Sequence, residues 1–318
     1  MLRTKVGAVL AAIIATVVIL IANSAADHLE RPSSVSSLSD HPPPADVPSR
    51  QPSRTATPDV GTHKDPLDSP VASYLATRTG IVSAAVYDLA TRQTWVIGSG
   101  RPQVEASVVK LDILDALLAH RGWHGGLSKN DQVLAQLMIE DSDNNAATAL
   151  WNAVGGAKGI RLFDNAAGLI DTAPSRCVVC SGFPWPGWGL TTTTPADQIA
   201  LLRETVEAGG LLTKVDHSYV LHLMENVTPG QRWGVSGGVP ERATVALKNG
   251  WLPLNEADTD WQVNSVGWIS GLGRNYLMAV LTTGNSTESY GIDTIDGLSA
   301  LVWKHMTEAV SVKRPAHS

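Results

Sequence analysis

Cysteine is almost missing from this chain: two in 318 residues, too few for a disulfide scaffold or a four-thiolate zinc site. A basic excess is missing too. The net charge of −6 lacks the positive field of a dedicated nucleic-acid binder. No repeat period recurs and the 28 glycines follow no three-residue spacing, which excludes a solenoid, a propeller and a collagen helix. Nor is the composition that of a disordered chain, because 43% of residues are hydrophobic and only 17% charged. What is left is an acidic, folded chain, long enough for one large domain or two small ones.

Residues 6–22 form an apolar run of 17 preceded by Arg3 and Lys5. It reads as a signal sequence or a single membrane anchor over 1–26, with the basic flank inside and everything downstream outside. Ser24-Ala25-Ala26 offers small residues for cleavage, and no cysteine follows the run to carry a lipid. Over 27–70 the composition changes: nine of the 18 prolines fall there, among Ser, Thr, Asp and Arg. Such a stretch buries too little apolar surface to fold and reads as a disordered, extended tether. One domain over 71–318 follows, large enough for a substantial core.

Within it, 81–87 and 94–98 are β-rich runs around a polar turn, which predicts a hairpin. Helical spacing takes over at 107–120, with Val108, Leu111, Leu114, Leu117 and Leu118 on one face. Ser128 with Asp131 forms a capping box for a helix to about 140. Further helices are expected over 145–154, 157–167 closed by Gly168, from Thr194-Pro195-Ala196-Asp197 onward, over 214–227 and over 292–310. Strands are expected near 243–250, 261–270 and 275–283. Strands at both ends with helices between them predict an α+β fold: one antiparallel sheet from both chain ends plus an inserted all-helical lobe.

Three short motifs stand in order: Ser107-Val108-Val109-Lys110, Ser142-Asp143-Asn144 and Lys248-Asn249-Gly250. An isolated S-x-x-K is a weak signal, but at a helix start the i, i+3 spacing sets Lys110 beside Ser107. A serine hydroxyl needs a neighbour to take its proton. A lysine can do so if burial and a second cation lower its pKa, and Lys248 is the candidate second cation. Read alone, Ser142-Asp143-Asn144 is equally an Asx turn or N-cap, and Lys248-Asn249-Gly250 a solvated strand end. Gly250 would let a ligand approach the strand backbone.

Together the motifs resemble the signature of penicillin-recognising serine enzymes, class A β-lactamases in particular. The resemblance spans roughly 71–310 and includes SDNNAA at 142–147, Gly155-Gly156 and the threonine-rich TTTTPADQIALL at 191–202. It implies a β-lactamase/transpeptidase-like fold, with Ser107 as acylated nucleophile and Lys110 as its base. It also implies Ser142 as proton relay, Asn144 on the substrate amide, and Lys248 and Asn249 on the substrate carboxylate. The backbone N–H groups of Ser107 and Trp251 would form the oxyanion hole. The implied partner is a small β-lactam or a peptidoglycan-type D-alanyl amide, bound by a monomer with no cofactor, no metal and no nucleic acid. The alternative is a cell-wall ligand-binding module on the same fold.

Three departures bear on substrate. The family places a glutamate in the loop before the threonine run, whereas here no acid lies between Asp171 and Asp197 and no histidine between His124 and His217. An ungapped count puts the glutamate's position near Val178, and without a base an acyl-serine should hydrolyse roughly 10²–10⁴-fold more slowly. Only 35 positions separate Ser107 from Ser142, which shortens one cleft wall to the turn 121–130 and predicts a more open site. Asn249 stands where the family has a hydroxyl. Cys177 and Cys180 read as a disulfide, a redox pair or half a metal site, the disulfide being favoured outside the cytoplasm. Phe183, Trp185 and Trp188 make an aromatic loop that either packs on itself or stacks a ligand. His124, His217, His222 and His305 show no partner pattern.

Overall fold

The computed structural model describes residues 67–122, 125–180, 186–255 and 259–311. The apolar N-terminal run, the proline-rich stretch to Pro66, His124 and residues 181–185 lie outside the described residues.

The first helix, α1 (Asp68–Leu75), begins before Val71, inside the stretch read as tether, and buries Leu67 and Val71. Pro70 sits in its first turn, where a missing N–H leaves no bond unmade. The expected hairpin follows as β1 (Ile81–Asp88) and β2 (Thr94–Ile97), with Tyr87 opposite Thr94. Its turn is fixed by Asp88 Oδ1, which accepts from the N–H groups of Ala90 and Thr91 at 2.8 and 2.7 Å. A two-residue strand β3 (Gln103–Val104) then leads to α2 (Val109–Gly122), α3 (Lys129–Glu140), α4 (Asn144–Ala153) and α5 (Gly156–Ala167). β4 (Thr192–Thr193) pairs with β3 and opens α6 (Pro195–Val206), followed by α7 (Lys214–Glu225). The chain closes with β5 (Thr244–Pro253), β6 (Trp261–Gly271), β7 (Arg274–Asn285) and α8 (Glu288–Ser311).

The five long strands make one antiparallel sheet in the order β2-β1-β7-β6-β5, so the two chain ends meet where β1 pairs with β7 and β5 is left at an edge. Period-two alternation divides its faces. Val245, Leu247, Met278 and Val280 pack towards α1 and α8, whereas Ala246, Val266, Leu277 and Ala279 pack under the lobe α2–α7. This is the α+β architecture expected, with the helices inserted between two parts of one sheet.

Local signals set the helix boundaries. Ser128 Oγ accepts from Asp131 N at 3.1 Å while Asp131 Oδ2 accepts from Ser128 N at 3.2 Å, completing the capping box of α3. Thr194 Oγ1 caps α6 by accepting from Asp197 N at 3.2 Å, without the reciprocal bond, and Pro195 takes the first position. The one-face reading of α2 was too narrow, because every residue from Val109 to Leu118 is buried, Lys110, Asp112 and Asp115 included. A helix with sheet on one side and helices on the others has no solvent face.

Candidate active site

Ser107 sits in a 3₁₀ turn, Ala106–Val108, that runs directly into α2. Ala106 before it has φ +52° and Ser142 across the cleft +55°, a left-handed conformation that non-glycine residues rarely adopt. Strand β5 passes against this turn at Gly250, where a Cβ would come within 2.6 Å of both the Ser107 and the Val108 nitrogens. Gly250 therefore makes room for the protein's own nucleophile turn. That corrects the expectation that it makes room for a ligand.

The Lys110 amine lies at the centre. Its Nζ is 3.0 Å from Ser107 Oγ, 3.0 Å from Ser142 Oγ, 2.6 Å from the Ser142 carbonyl and 2.7 Å from Asn144 Oδ1. Two of these partners, the carbonyl and the amide oxygen, can only accept. Both hydroxyls can donate. A neutral amine gives its two hydrogens to the obligate acceptors and takes the Ser107 proton on its lone pair, while Ser142 Oγ accepts from Lys248. Burial lowers the Lys110 pKa to about 7, against a smaller upward pull from Asp143. Asn144, with Oδ1 held by Lys110, keeps its Nδ2 as a donor for the cleft.

Lys248, on β5, is fully buried and donates to Ser142 Oγ at 3.0 Å and to its neighbour's carbonyl, Asn249 O, at 2.9 Å. Ser142 Oγ thus bridges two amines. Burial first and Lys110 second hold the Lys248 pKa well below the ordinary lysine value. Asn249 is different. Strand alternation turns it to the opposite face, where Nδ2 donates to the carbonyls of Gln231 and Trp233 at 2.7 and 3.0 Å. The side-chain role expected for it towards a substrate carboxylate does not fit this placement. Trp251 follows on the edge strand and meets Trp233 edge to face at 5.7 Å between ring centroids.

The loop ahead of α6 differs from the ungapped count. Val178 is 75% exposed at its tip, and Cys177 is bonded to Cys180. Among the described loop residues the 3₁₀ turn Gly187–Leu190 returns to the nucleophile, and the side chain it brings beside Lys110 is Trp188. That ring is 2% exposed, its centroid lies 5.0 Å from Lys110 Nζ, and its Nε1 donates to Thr148 Oγ1 at 3.1 Å. No carboxylate or imidazole occurs among the described loop residues from Thr172 to Ala196. Of the four histidines noted, His217 is buried with Nδ1 2.7 Å from the Thr205 carbonyl, and His222 lies beside Asn226. Neither is part of the site.

Sequence reading missed a group of acids beneath the nucleophile. Glu105, Asp112 and Asp164 are each fully buried, and apart from the hydrogen bond that the Asp112 carboxyl, holding its proton, donates to Glu105, no donor among the described residues reaches their carboxyl oxygens. Burial, reinforced by their mutual proximity, raises Glu105 to about 8, Asp164 to about 9 and Asp112 well above the carboxylate range. The available signal was two acids seven residues apart, Glu105 and Asp112, on either side of the Ser107–Lys110 motif.

Residues 130–306 match the model of the Beta-lactamase enzyme family. The chain belongs to that family. The match starts beyond Ser107 and Lys110, so those two residues rest on their own motif and geometry. LppW of Mycobacterium tuberculosis, whose name describes it as a candidate lipoprotein, is 30% identical over 236 residues, covering 71% of this chain and 70% of its own length. The fold is similar to a class A β-lactamase from Mycobacterium abscessus, with a TM-score of 0.64 at 23% identity over 76% of this chain and 100% of the other. It is also similar to one from Bacteroides cellulosilyticus, with 0.65 at 19% over 76% and 98%.

Proposed function

We propose that the protein is an extracytoplasmic, membrane-tethered serine enzyme whose Ser107 is acylated by a β-lactam or a D-alanyl-type amide and is slow to release the acyl group. One observation carries this reading: the Lys110 amine has two obligate acceptors for its two hydrogens and the Ser107 hydroxyl 3.0 Å away to donate to its lone pair, the arrangement of a neutral general base. In the forward step Lys110 takes the Ser107 proton as Oγ attacks the carbonyl. The backbone N–H groups of Ser107 and Trp251 receive the developing oxyanion. Ser142, bridged to Lys110 and Lys248, hands its proton to the departing nitrogen and regains one from Lys110, and Asn144 Nδ2 holds the side-chain amide of the substrate. Release is slow because the described loop residues offer no base to water.

The extracellular placement is supported by Arg3 and Lys5 ahead of the apolar run and by the lipoprotein name of LppW. Among the described residues no helix is long and apolar enough to cross a membrane, so the anchor, absent a lipidated cysteine, would be residues 6–22. A second reading, a binding module without turnover, is favoured by Asn249 facing away from the cleft.

Intact mass after incubation with a penicillin decides between them. Acylation predicts one opened β-lactam on the wild type and none on Ser107→Ala. Ligand binding without any adduct on either protein would establish the binding module, and equal labelling of both would remove Ser107 as nucleophile.

A further inference from the structure

Trp188 stands where the loop meets the nucleophile, and three constraints hold it there. Its ring lies 5.0 Å from Lys110 Nζ, measured to the centroid. Its Nε1 donates to Thr148 Oγ1 at 3.1 Å, and Thr148 Oγ1 in turn donates to the Asn144 carbonyl at 2.9 Å on the helix whose first residue, Asn144, also binds Lys110. Behind it, Gly187 N donates to the Cys177 carbonyl at 2.8 Å. A Cβ at Gly187 would come within 2.8 Å of Cys180 Sγ and 2.7 Å of Ser175 Oγ. The bonded Cys177–Cys180 pair is therefore the backstop against which the Gly187–Trp188 turn is pressed. The buried indole fills the space beside the Lys110 amine, and its turn packs against the 3₁₀ turn that carries Ser107.

We infer that Trp188 is a positioning and water-excluding residue: its indole holds the Lys110 amine against Ser107 and closes that side of the nucleophile to solvent, so that an acyl group on Ser107 is shielded from hydrolysis. This rests on the acylation reading above and adds to it the residue that sets the lifetime of the adduct. The ring has two separable effects. Its apolar bulk keeps the amine dry, which favours neutral lysine, and its π face attracts the ammonium form, which favours the charged one. Lys110, poised near neutrality, is the balance of the two. Water kept off a reactive ester is a recognised way to prevent its hydrolysis. Here the exclusion is done by a side chain that also fixes the base.

Three variants separate these effects. Trp188→Leu keeps the site dry and removes the π face. It should lower the pH midpoint of Ser107 acylation by about 0.3–1.5 pH, the roughly 2- to 30-fold value of such a cation–π contact. Trp188→Ala admits water, so the midpoint should move up instead and the acyl-Ser107 half-life should shorten by about tenfold or more. Trp188→Phe keeps both ring and bulk, and should restore midpoint and half-life to near wild type although the bond to Thr148 is gone. A purely structural role predicts another pattern, in which loss of thermal stability tracks loss of activity and the midpoint stays fixed.

The midpoint is also read without acylation, from the pH dependence of the Lys110 side-chain NMR signals in the full-length protein. If penicillin labels none of the proteins, the acylation reading fails while the NMR midpoints still judge Trp188. Identical midpoints in wild type, Leu and Phe variants would overturn the inference. So would an acyl half-life unchanged in Trp188→Ala by a protein that does acylate. Should the Ala variant fail to fold, the Leu and Phe pair alone still decides on the midpoint.

Discussion

Replacing Glu105 by glutamine should make the protein relatively more stable as the pH rises. Glu105 is fully buried two residues before the nucleophile, with Asp112 and Asp164 near it, and burial raises its pKa to about 8. In the folded state it therefore keeps its proton at neutral pH, whereas in the unfolded chain it loses it near 4.3. Where the native state holds more protons than the unfolded one, stability falls with rising pH, by about 1.4 kcal/mol per pH for each retained proton. The contribution is complete below the unfolded pKa and is lost as the pH climbs towards 8. Between pH 5.5 and 7.5 Glu105 alone should thus remove on the order of 2–3 kcal/mol. The wild-type curve by itself does not isolate this, because Lys110 and Lys248 have lowered pKa values and contribute with the opposite sign above their folded values. In the difference between Glu105→Gln and wild type the lysine contributions cancel, and what remains is Glu105 together with its coupling to Asp112.

The assay is urea unfolding of both proteins at pH 5.5, 6.5, 7.5 and 8.5. At pH 5.5 the glutamine variant should be equal to or slightly less stable than wild type, having exchanged a protonated carboxyl for an amide of the same shape. The gap should then close and reverse, shifting by about 2–3 kcal/mol in favour of the variant by pH 7.5. Asp112→Asn should behave in the same direction, because burial first and Glu105 second raise the Asp112 carboxyl well above the carboxylate range. A difference flat with pH, or one that moves against glutamine as the pH rises, would mean that Glu105 is ionised in the folded protein and that the buried acids are solvated or paired in some other way.

Two further tests address the site. If Lys110 acts as the neutral base, acylation should rise about tenfold per pH below the midpoint near pH 7 and level off above it; stopped-flow acylation that is flat from pH 5.5 to 8.5 would assign the base elsewhere. Gly250→Ala places a Cβ within 2.6 Å of two backbone nitrogens of the nucleophile turn, and should cost about 1–3 kcal/mol by overpacking and lower acylation by about 100-fold through displacement of Ser107. An alanine variant with wild-type melting temperature and labelling rate would show that β5 can move away freely.

How much of this was legible in the chain varies with the range of the interaction. Helix and strand positions were readable because their determinants are local: the Ser128/Asp131 box, Thr194-Pro195, the Gly168 cap and the hairpin around Asp88 are settled within a few residues. The α+β topology was readable because strands lie at both ends with helices between them, and one sheet is the way to bury them all. Ser107 with Lys110 was readable because i, i+3 neighbours on a helix must meet.

What tertiary structure alone decided involves distance in sequence. That Asn249 faces away from Lys110 follows from the face of β5 that the lobe covers, and a strand's alternation does not say which face that will be. That Trp188, and not a residue near Val178, approaches the base depends on how the loop folds over its Cys177–Cys180 bond, which no residue count reveals. That Gly250 admits the nucleophile turn is a contact between residues 143 positions apart. The burial of Glu105, Asp112 and Asp164 together is likewise a product of three elements converging, and it is that convergence, not the acids themselves, that keeps their protons on.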